Sequence, residues 1–170
     1  QLEVHAQLAI VNPHSDTEPW QIDYSDIVFE DKIGEGAYGT VLRAYHNLFD
    51  CWFAVKKVPR LTCDTTMEHE LNVLANCRCS NIVNYFGTMR DKDSVWIMME
   101  LCKYGSVRGL IESVRRPLYE PEIGTVMLGV LRGLAYLHGK GIVHLDVKAA
   151  NILVDKRLQV KLADFGVSEH

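Results

Sequence analysis

Apolar and polar positions along the chain follow two periods in succession. From residue 27 to about residue 100 they mostly alternate in twos, the signature of strands with one face turned inward. Residues 27–35 and 38–45 read as two strands joined by a glycine-containing turn. Residues 51–58 read as a third, closed by Pro59, with Phe53 and Val55 expected on one face and Ala54 and Lys56 on the other. Residues 83–89 and 94–100 supply two more, around the polar turn Arg90-Asp91-Lys92-Asp93. Between the third and fourth strands, Asp64 is suited to cap a helix over residues 65–76, where Met67, Leu71 and Leu74 recur at helical spacing.

After Gly105 the period becomes helical. A short helix is predicted over 106–114, and Pro121 fits the first turn of a longer one. Ile123, Val126, Val130, Leu134 and Leu137 form its apolar stripe, and Gly139 and Gly141 end it. Two short strands, 152–154 and 160–162, flank the turn Asp155-Lys156-Arg157. Ahead of residue 27, Asn12-Pro13 and Glu18-Pro19 mark an extension or linker, and Leu8-Ala9-Ile10-Val11 is expected as a short strand docking on a neighbouring sheet. A strand-rich stretch followed by a helix-rich one predicts an α+β chain in two lobes. The divisions fall at 1–26, 27–102 and 103–170.

Composition narrows the functional classes. The 170 residues are 48% hydrophobic and 24% charged, ordinary for a globular protein. A net charge of −4 gives no basic footprint, so no nucleic-acid partner is expected. No apolar run is long enough for a membrane span. The five cysteines include no Cys-x-x-Cys pair, and Cys77-Arg78-Cys79 is too close-set for the usual zinc spacing. Buried or partly buried free thiols in a reducing compartment are expected, hence a cytoplasmic protein. The N-terminus has neither a secretory pattern nor an initiator Met, which reads as a chain processed or excised from a longer one.

Four ordered segments carry candidate chemistry. Gly34-Glu35-Gly36-Ala37-Tyr38-Gly39 is a Gly-x-Gly-x-x-Gly run. A dinucleotide-binding reading needs a helix after the third glycine, whereas Thr40 to Tyr45 alternate as a strand. Taken alone it is an ordinary glycine hairpin, or a flap whose amides approach phosphate oxygens closely. Further on, Ala54-Val55-Lys56 places a lysine in an apolar strand, where it needs an anion; Glu70 on the next helix is a candidate partner, or a solvated surface acid. His144-Leu145-Asp146-Val147-Lys148-Ala149-Ala150-Asn151 spaces a carboxylate, a cation and a carboxamide along one loop. The carboxylate can take a hydroxyl proton, the lysine can neutralise a transferring phosphoryl group, and the asparagine oxygen can bind a metal. Asp146 can equally be a turn or cap acid. Asp164-Phe165-Gly166 adds a hard oxygen donor for Mg²⁺.

With these segments in this order, residues 27–170 resemble the eukaryotic protein kinase family. They are most similar to its sterile-20 group, and within it to the mammalian sterile-20-like (Hippo) branch. The resemblance rests on residues 34–41, 57–59, 81–87, 95–102, 105–107 and 162–167. Lys148, two residues after Asp146, is the serine/threonine pattern. The resemblance implies a two-lobed kinase-like fold with a complete N-lobe, a five-stranded antiparallel sheet plus one helix, and a partial helical C-lobe. It implies ATP and Mg²⁺ as cofactors and a protein substrate with a Ser or Thr acceptor. Ile33, Val41 and Ala54 would roof the adenine and Leu153 floor it, with Met99 as gatekeeper. Glu100 and Cys102 would bond the adenine edge, and Ser106 would lie near the ribose. Gly34, Glu35, Gly36, Ala37, Tyr38 and Gly39 would cover the phosphates, which Lys56 would hold while locked by Glu70. Asp146 and Lys148 would act in transfer, Asn151 and Asp164 on the metal. Leu74, Tyr85, His144 and Phe165 would stack as an apolar spine.

Two departures qualify this. Leu145 stands where the family usually has an Arg that pairs with a phosphorylated activation loop, and leucine makes no charge-assisted bond to phosphate. The chain also ends soon after Gly166, without the family's activation segment and later helices. The stripe from Ile123 to Leu137 then predicts a chain that aggregates, binds a partner over that face, or is a piece of a longer product. The alternative to turnover is a fragment that binds nucleotide or competes for partners.

Overall fold

The computed structural model describes residues 10–11, 19–20, 26–36, 39–48, 50–59, 77–90 and 92–164. The predicted helix over 65–76, with Glu70 and Leu74, lies outside the described residues, as do Ala37, Tyr38, Cys63, Phe165 and Gly166. The chain falls into two compact units.

The first unit holds β1 (Ile10–Val11), β2 (Pro19–Trp20), β3 (Ile27–Gly36), β4 (Gly39–His46), β5 (Cys51–Pro59), β6 (Tyr85–Arg90) and β7 (Ser94–Glu100). β1 pairs with β2 in its own small ribbon, outside the hydrogen-bonded order of the larger sheet. The other strands form one antiparallel sheet of five in the order β3-β4-β5-β7-β6. The two faces of β5 are assigned as the alternation predicts, but both are covered. Phe53 and Val55 pack with Ile27, Ala44 and Met98. Ala54 on the other face is also buried, and Val58 on that face packs with Val95 and Ile97. A strand with neighbours on both edges and side chains over both faces reads as a nearly continuous apolar run, and this one does from Phe53 to Val55. At the sheet's edge, β3 carries two register shifts, and Arg43 of β4 ties Glu30 and Asp31 at 2.7 and 3.4 Å. Bulges and charge of this kind blunt an edge against further pairing.

The second unit holds α1 (Val107–Val114), α2 (Glu120–His138), β8 (Ile152–Val154) and β9 (Val160–Leu162). Ser106 starts α1 by accepting the Gly109 N–H at 3.1 Å. At the head of α2, Glu122 accepts the Tyr119 N–H at 2.7 Å and two Arg116 N–H groups at 2.8 Å each. The Arg116 guanidinium, then the Tyr119 amide, draw its carboxyl down to about 2. Segment 77–84 lies in sequence inside the 27–102 span yet groups with this unit. The reason is backbone pairing: Leu162 N–H donates to Asn81 O and Val83 N–H to Leu162 O, both at 2.9 Å.

Along the predicted stripe on α2, Val130 and Leu137 are buried and Val126 and Leu134 half-buried, but Ile123 is 47% exposed, and Met127, Leu128 and Leu131 are exposed as well. The closest approach is made by two glycines. A Cβ on Gly129 would stand 2.5 Å from Val160 Cβ, and one on Gly133 would stand 2.9 Å from both Asn81 O and Leu162 Cδ1. Their bare backbone lets the helix settle directly on β9 and segment 77–84.

Candidate functional site

In the first unit, cross-strand register gathers several candidates on one sheet face. Gly34 is opposite Val41, Val41 opposite Lys56, and Lys56 opposite Ile97. In the next row Arg43 is opposite Ala54, Ala54 opposite Met99, and Met99 opposite Tyr85. Cross-strand partners project to the same side of a pleated sheet. Val41, Ala54, Lys56 and Met99 therefore share one face, and Lys56 is half-buried among apolar neighbours. Glu100 is half-buried opposite Phe53, while Ile33, at 48% exposure in the irregular part of β3, is less enclosed than its expected neighbours. Glu35 is exposed and bridged to Lys32. Gly39 closes the glycine hairpin at φ +146°. A Cβ there would stand 3.0 Å from the Lys57 carbonyl carbon, and closer still to its oxygen. The third glycine is thus demanded by the neighbouring strand β5, whatever the loop binds.

In the second unit, Ser106 forms an antiparallel bridge with Leu153, so the expected ribose-side and floor residues are neighbours. Tyr104 N–H donates to Val154 O, Val154 N–H to Gly105 O, and Gly105 N–H to the buried Cys102.

The loop from His144 to Asn151 is ordered by its own side chains. Lys148 Nζ and Asn151 Nδ2 both donate to Oδ2 of Asp146, at 2.7 and 2.8 Å. Asn151 Nδ2 also reaches the Asp146 carbonyl at 3.0 Å. The Lys148 ammonium, helped by Asn151, holds the Asp146 carboxyl below its ordinary range, although partial burial works the other way. The carboxylate is therefore charged at neutral pH, with Oδ1 outside both bonds. The backbone fixes the rest: Asn151 N–H donates to Lys148 O, Arg108 N–H to Ala149 O, and Ala163 N–H to Asn151 O. The last bond sets Asn151 beside the residue that precedes Asp164. Both Leu145 (φ +59°) and Asp164 (φ +61°) occupy left-handed backbone, which costs a non-glycine residue roughly 1–2 kcal/mol.

His144 was expected only as an apolar spine member. It is 1% exposed, and it holds the loop by both ring nitrogens: Asp146 N–H donates to Nδ1 at 3.3 Å, and Nε2 meets Ala163 O at 3.2 Å. Burial lowers its basicity below that of an ordinary histidine. Ala163 acts through a backbone carbonyl, which every residue type has, so no sequence signal marks it.

The donor set suits a hard divalent cation. Asn151 commits its nitrogen to Asp146, which leaves Oδ1 as its acceptor oxygen, and Asp164 follows Ala163, whose N–H is paired with Asn151 O. Among the described residues no cluster of three or more His, Cys, Asp or Glu could hold a metal by itself. Mg²⁺ commonly takes one or two protein oxygens and completes its shell with phosphate and water. The cysteines Cys51, Cys77, Cys79 and Cys102 are free thiols; Cys51 is exposed, against expectation, because it opens β5 at the sheet margin. Among the described residues no helix is long and apolar enough to cross a membrane.

Comparison with known proteins agrees with this picture. Residues 27–170 match the model of the protein kinase domain. The chain is 39% identical over 157 residues to serine/threonine-protein kinase pakF of Dictyostelium discoideum, covering 92% of this chain and 13% of that protein. It is 43% identical over 143 residues to pakE of the same organism, covering 83% and 15%. To serine/threonine-protein kinase cst-1 of Caenorhabditis elegans it is 39% identical over 137 residues, covering 81% and 28%. The chain thus spans well under a third of each of these relatives.

Proposed function

Because the chain belongs to the protein kinase domain family, we propose that it carries the ATP-binding and phosphoryl-transfer machinery of a serine/threonine protein kinase. Residues 1–26 are read as an extension, 27–102 as the strand-rich lobe and 103–170 as part of the helical lobe.

The roles follow the chemistry of each group. On the sheet, Ile33, Val41 and Ala54 offer apolar surface to adenine, with Met99 limiting its depth, and Lys56 offers a cation to the phosphates. Glu70 is the proposed anchor for Lys56. Gly34, Glu35, Gly36, Ala37, Tyr38 and Gly39 present backbone amides to phosphate oxygens. Glu100 and Cys102 present backbone groups to the adenine edge, Ser106 serves the ribose, and Leu153 offers further apolar surface to adenine. Asn151 Oδ1 and Asp164 would hold Mg²⁺, which when bound neutralises phosphate charge.

Asp146 receives the substrate hydroxyl. With Oδ2 occupied by Lys148 and Asn151, Oδ1 is the oxygen left to accept the hydroxyl proton. A carboxylate held below its ordinary range is a weak base at rest. Its first task is therefore to keep the hydroxyl in line, and it takes the proton as the new P–O bond forms. Lys148 is then next to the transferring group and offsets its charge. The convergence of Lys148 and Asn151 on Asp146 is the observation that carries this reading. The acceptor is a Ser or Thr of a protein, and the setting is a cytoplasmic signalling cascade. The open face of α2 around Ile123, Met127, Leu128 and Leu131 is where a further protein surface packs.

The test is Asp146→Asn in the longest protein that carries this chain, assayed with Mg·ATP and Ser/Thr peptides. Turnover should fall by about 10²-fold or more with the KM for ATP nearly unchanged. Retained turnover sinks the assignment.

A further inference from the structure

We infer that Arg108 is a substrate-selecting residue: its guanidinium, on a cationic lip beside the loop of Asp146, favours protein substrates with an acidic side chain two or three residues from the acceptor Ser or Thr. This rests on the reaction proposed above and adds to it the class of sequence that is phosphorylated.

Two segments of the second unit run side by side to form the lip. Tyr104 N–H donates to Val154 O at 3.1 Å and Val154 N–H to Gly105 O at 2.9 Å, Ser106 bridges Leu153, and Arg108 N–H donates to Ala149 O at 3.0 Å. Residues 102–111 carry Lys103 and Arg108, both exposed, and no Asp or Glu. Residues 147–154 carry Lys148 and no Asp or Glu either. Asp146, the carboxylate just before them, is already paired with Lys148 at 2.7 Å. Ala149 and Ala150, next in the loop, bear only a methyl each, and neither competes for an anion.

The spacing fits a peptide. Ala149 is three residues from Asp146, a separation of at most roughly 11 Å. Consecutive residues of an extended peptide advance about 3.3 Å each. A peptide that runs along the lip with its acceptor hydroxyl on Asp146 therefore brings a residue two or three places away alongside Ala149, where Arg108 is tied.

Arg108 is not committed elsewhere. Its Nε donates to Glu112 at 2.9 Å, but the two side chains are 69% and 64% exposed, and an exposed pair of this kind is weakly held. The order of the pair, cation ahead of acid, is the less favourable one on a helix, and a cation in the first turn opposes the dipole of α1. The stability of α1 thus gives no reason for an arginine here. A peptide carboxylate can take the guanidinium through two parallel N–H groups, a stronger grip than the single bond to Glu112.

Peptides that differ at one position, with Ala, Asp, Lys or phosphoserine placed in turn from three residues before the acceptor to three after it, test this in the longest protein that carries the chain. At a second or third position on one flank, Asp should raise kcat/KM over Ala by roughly three- to tenfold, mainly through KM, and salt should shrink the gain. Lys at that position should lower it. Arg108→Glu should invert the order of Asp and Lys, and Glu112→Gln, which releases the guanidinium, should widen the Asp-over-Ala ratio. Each ratio is taken within one protein, so a general loss of activity cancels. A gain with phosphoserine but none with Asp would assign the lip to previously phosphorylated substrates and overturn the carboxylate reading. A parent that favours Asp over Ala at no position, an unchanged order in Arg108→Glu, or an unwidened ratio in Glu112→Gln also overturns it, while leaving the Asp146→Asn result, and with it the proposed reaction, untouched.

Discussion

Replacing Gly39 by alanine should unfold the strand-rich unit far more readily than replacing Gly34, although both belong to the same glycine run. Gly39 sits at φ +146°, a conformation that costs an L-residue about 1–3 kcal/mol. Its Cβ would stand 3.0 Å from the Lys57 carbonyl carbon and 3.3 Å from Val58 Cα, with the Lys57 oxygen closer still. These are main-chain atoms of β5, so no side chain can swing aside. β4 must therefore lift from β5 where Thr40 pairs with Lys57 and Val41 with Lys56. Weakening two ladder bonds adds about 0.5–1.5 kcal/mol each. The total is roughly 2–6 kcal/mol, a large part of the usual stability of a domain. At Gly34 the nearest atom would be Val41 Cβ at 3.6 Å, an ordinary contact, and alanine should cost less than about 0.5 kcal/mol. The chain's three tryptophans, Trp20, Trp52 and Trp96, all lie in the strand-rich unit, so intrinsic fluorescence follows that unit selectively. Gly39→Ala should lower its Tm by on the order of 10 °C, and Gly34→Ala should melt with the parent. Equal melting of the two variants would refute the argument that β5 dictates the third glycine.

Glu122→Gln should destabilise the second unit at neutral pH and make little difference at low pH. The folded Glu122 carboxyl is held at about 2, below its ordinary 4.5, so its contribution is present above 4.5 and fades as pH falls toward 2. Chemical denaturation of both forms across that window checks the sign, and added salt should shrink the effect because the pair is exposed. Asn151→Asp replaces a donor 2.8 Å from Asp146 Oδ2 with a second carboxylate. Repulsion should raise the Asp146 pKa, so the pH–rate profile gains an acidic limb and turnover drops; a profile unchanged in shape would count against it. Leu145 bears no charge to receive a phosphate, so phosphatase treatment of the longest form should leave turnover within about twofold, whereas Leu145→Arg should make turnover respond to phosphorylation. A large loss on dephosphorylation of the parent would show that another cation reads the phosphate.

Much of the architecture was legible in order of residues alone. Period-two and period-3.6 patterns are local properties, so the strands of the five-stranded sheet, the two helices after Gly105 and the short pair at Ile152–Val154 and Val160–Leu162 could be placed without coordinates. The spacing of Asp146, Lys148 and Asn151 likewise told that three functional groups share one loop, because a short stretch of backbone cannot separate them far. The tertiary structure decided what local pattern does not encode. Whether one or both faces of β5 are covered depends on β4, β7 and what packs over them. The buried side of α2 turned on Gly129 and Gly133, residues with no side chain for a hydrophobic stripe to count, because contact with β9 rewards the absence of a Cβ. The ring nitrogens of His144 meet an amide and a carbonyl, groups that every residue but proline carries alike, and so only the fold could choose which of them the ring would meet.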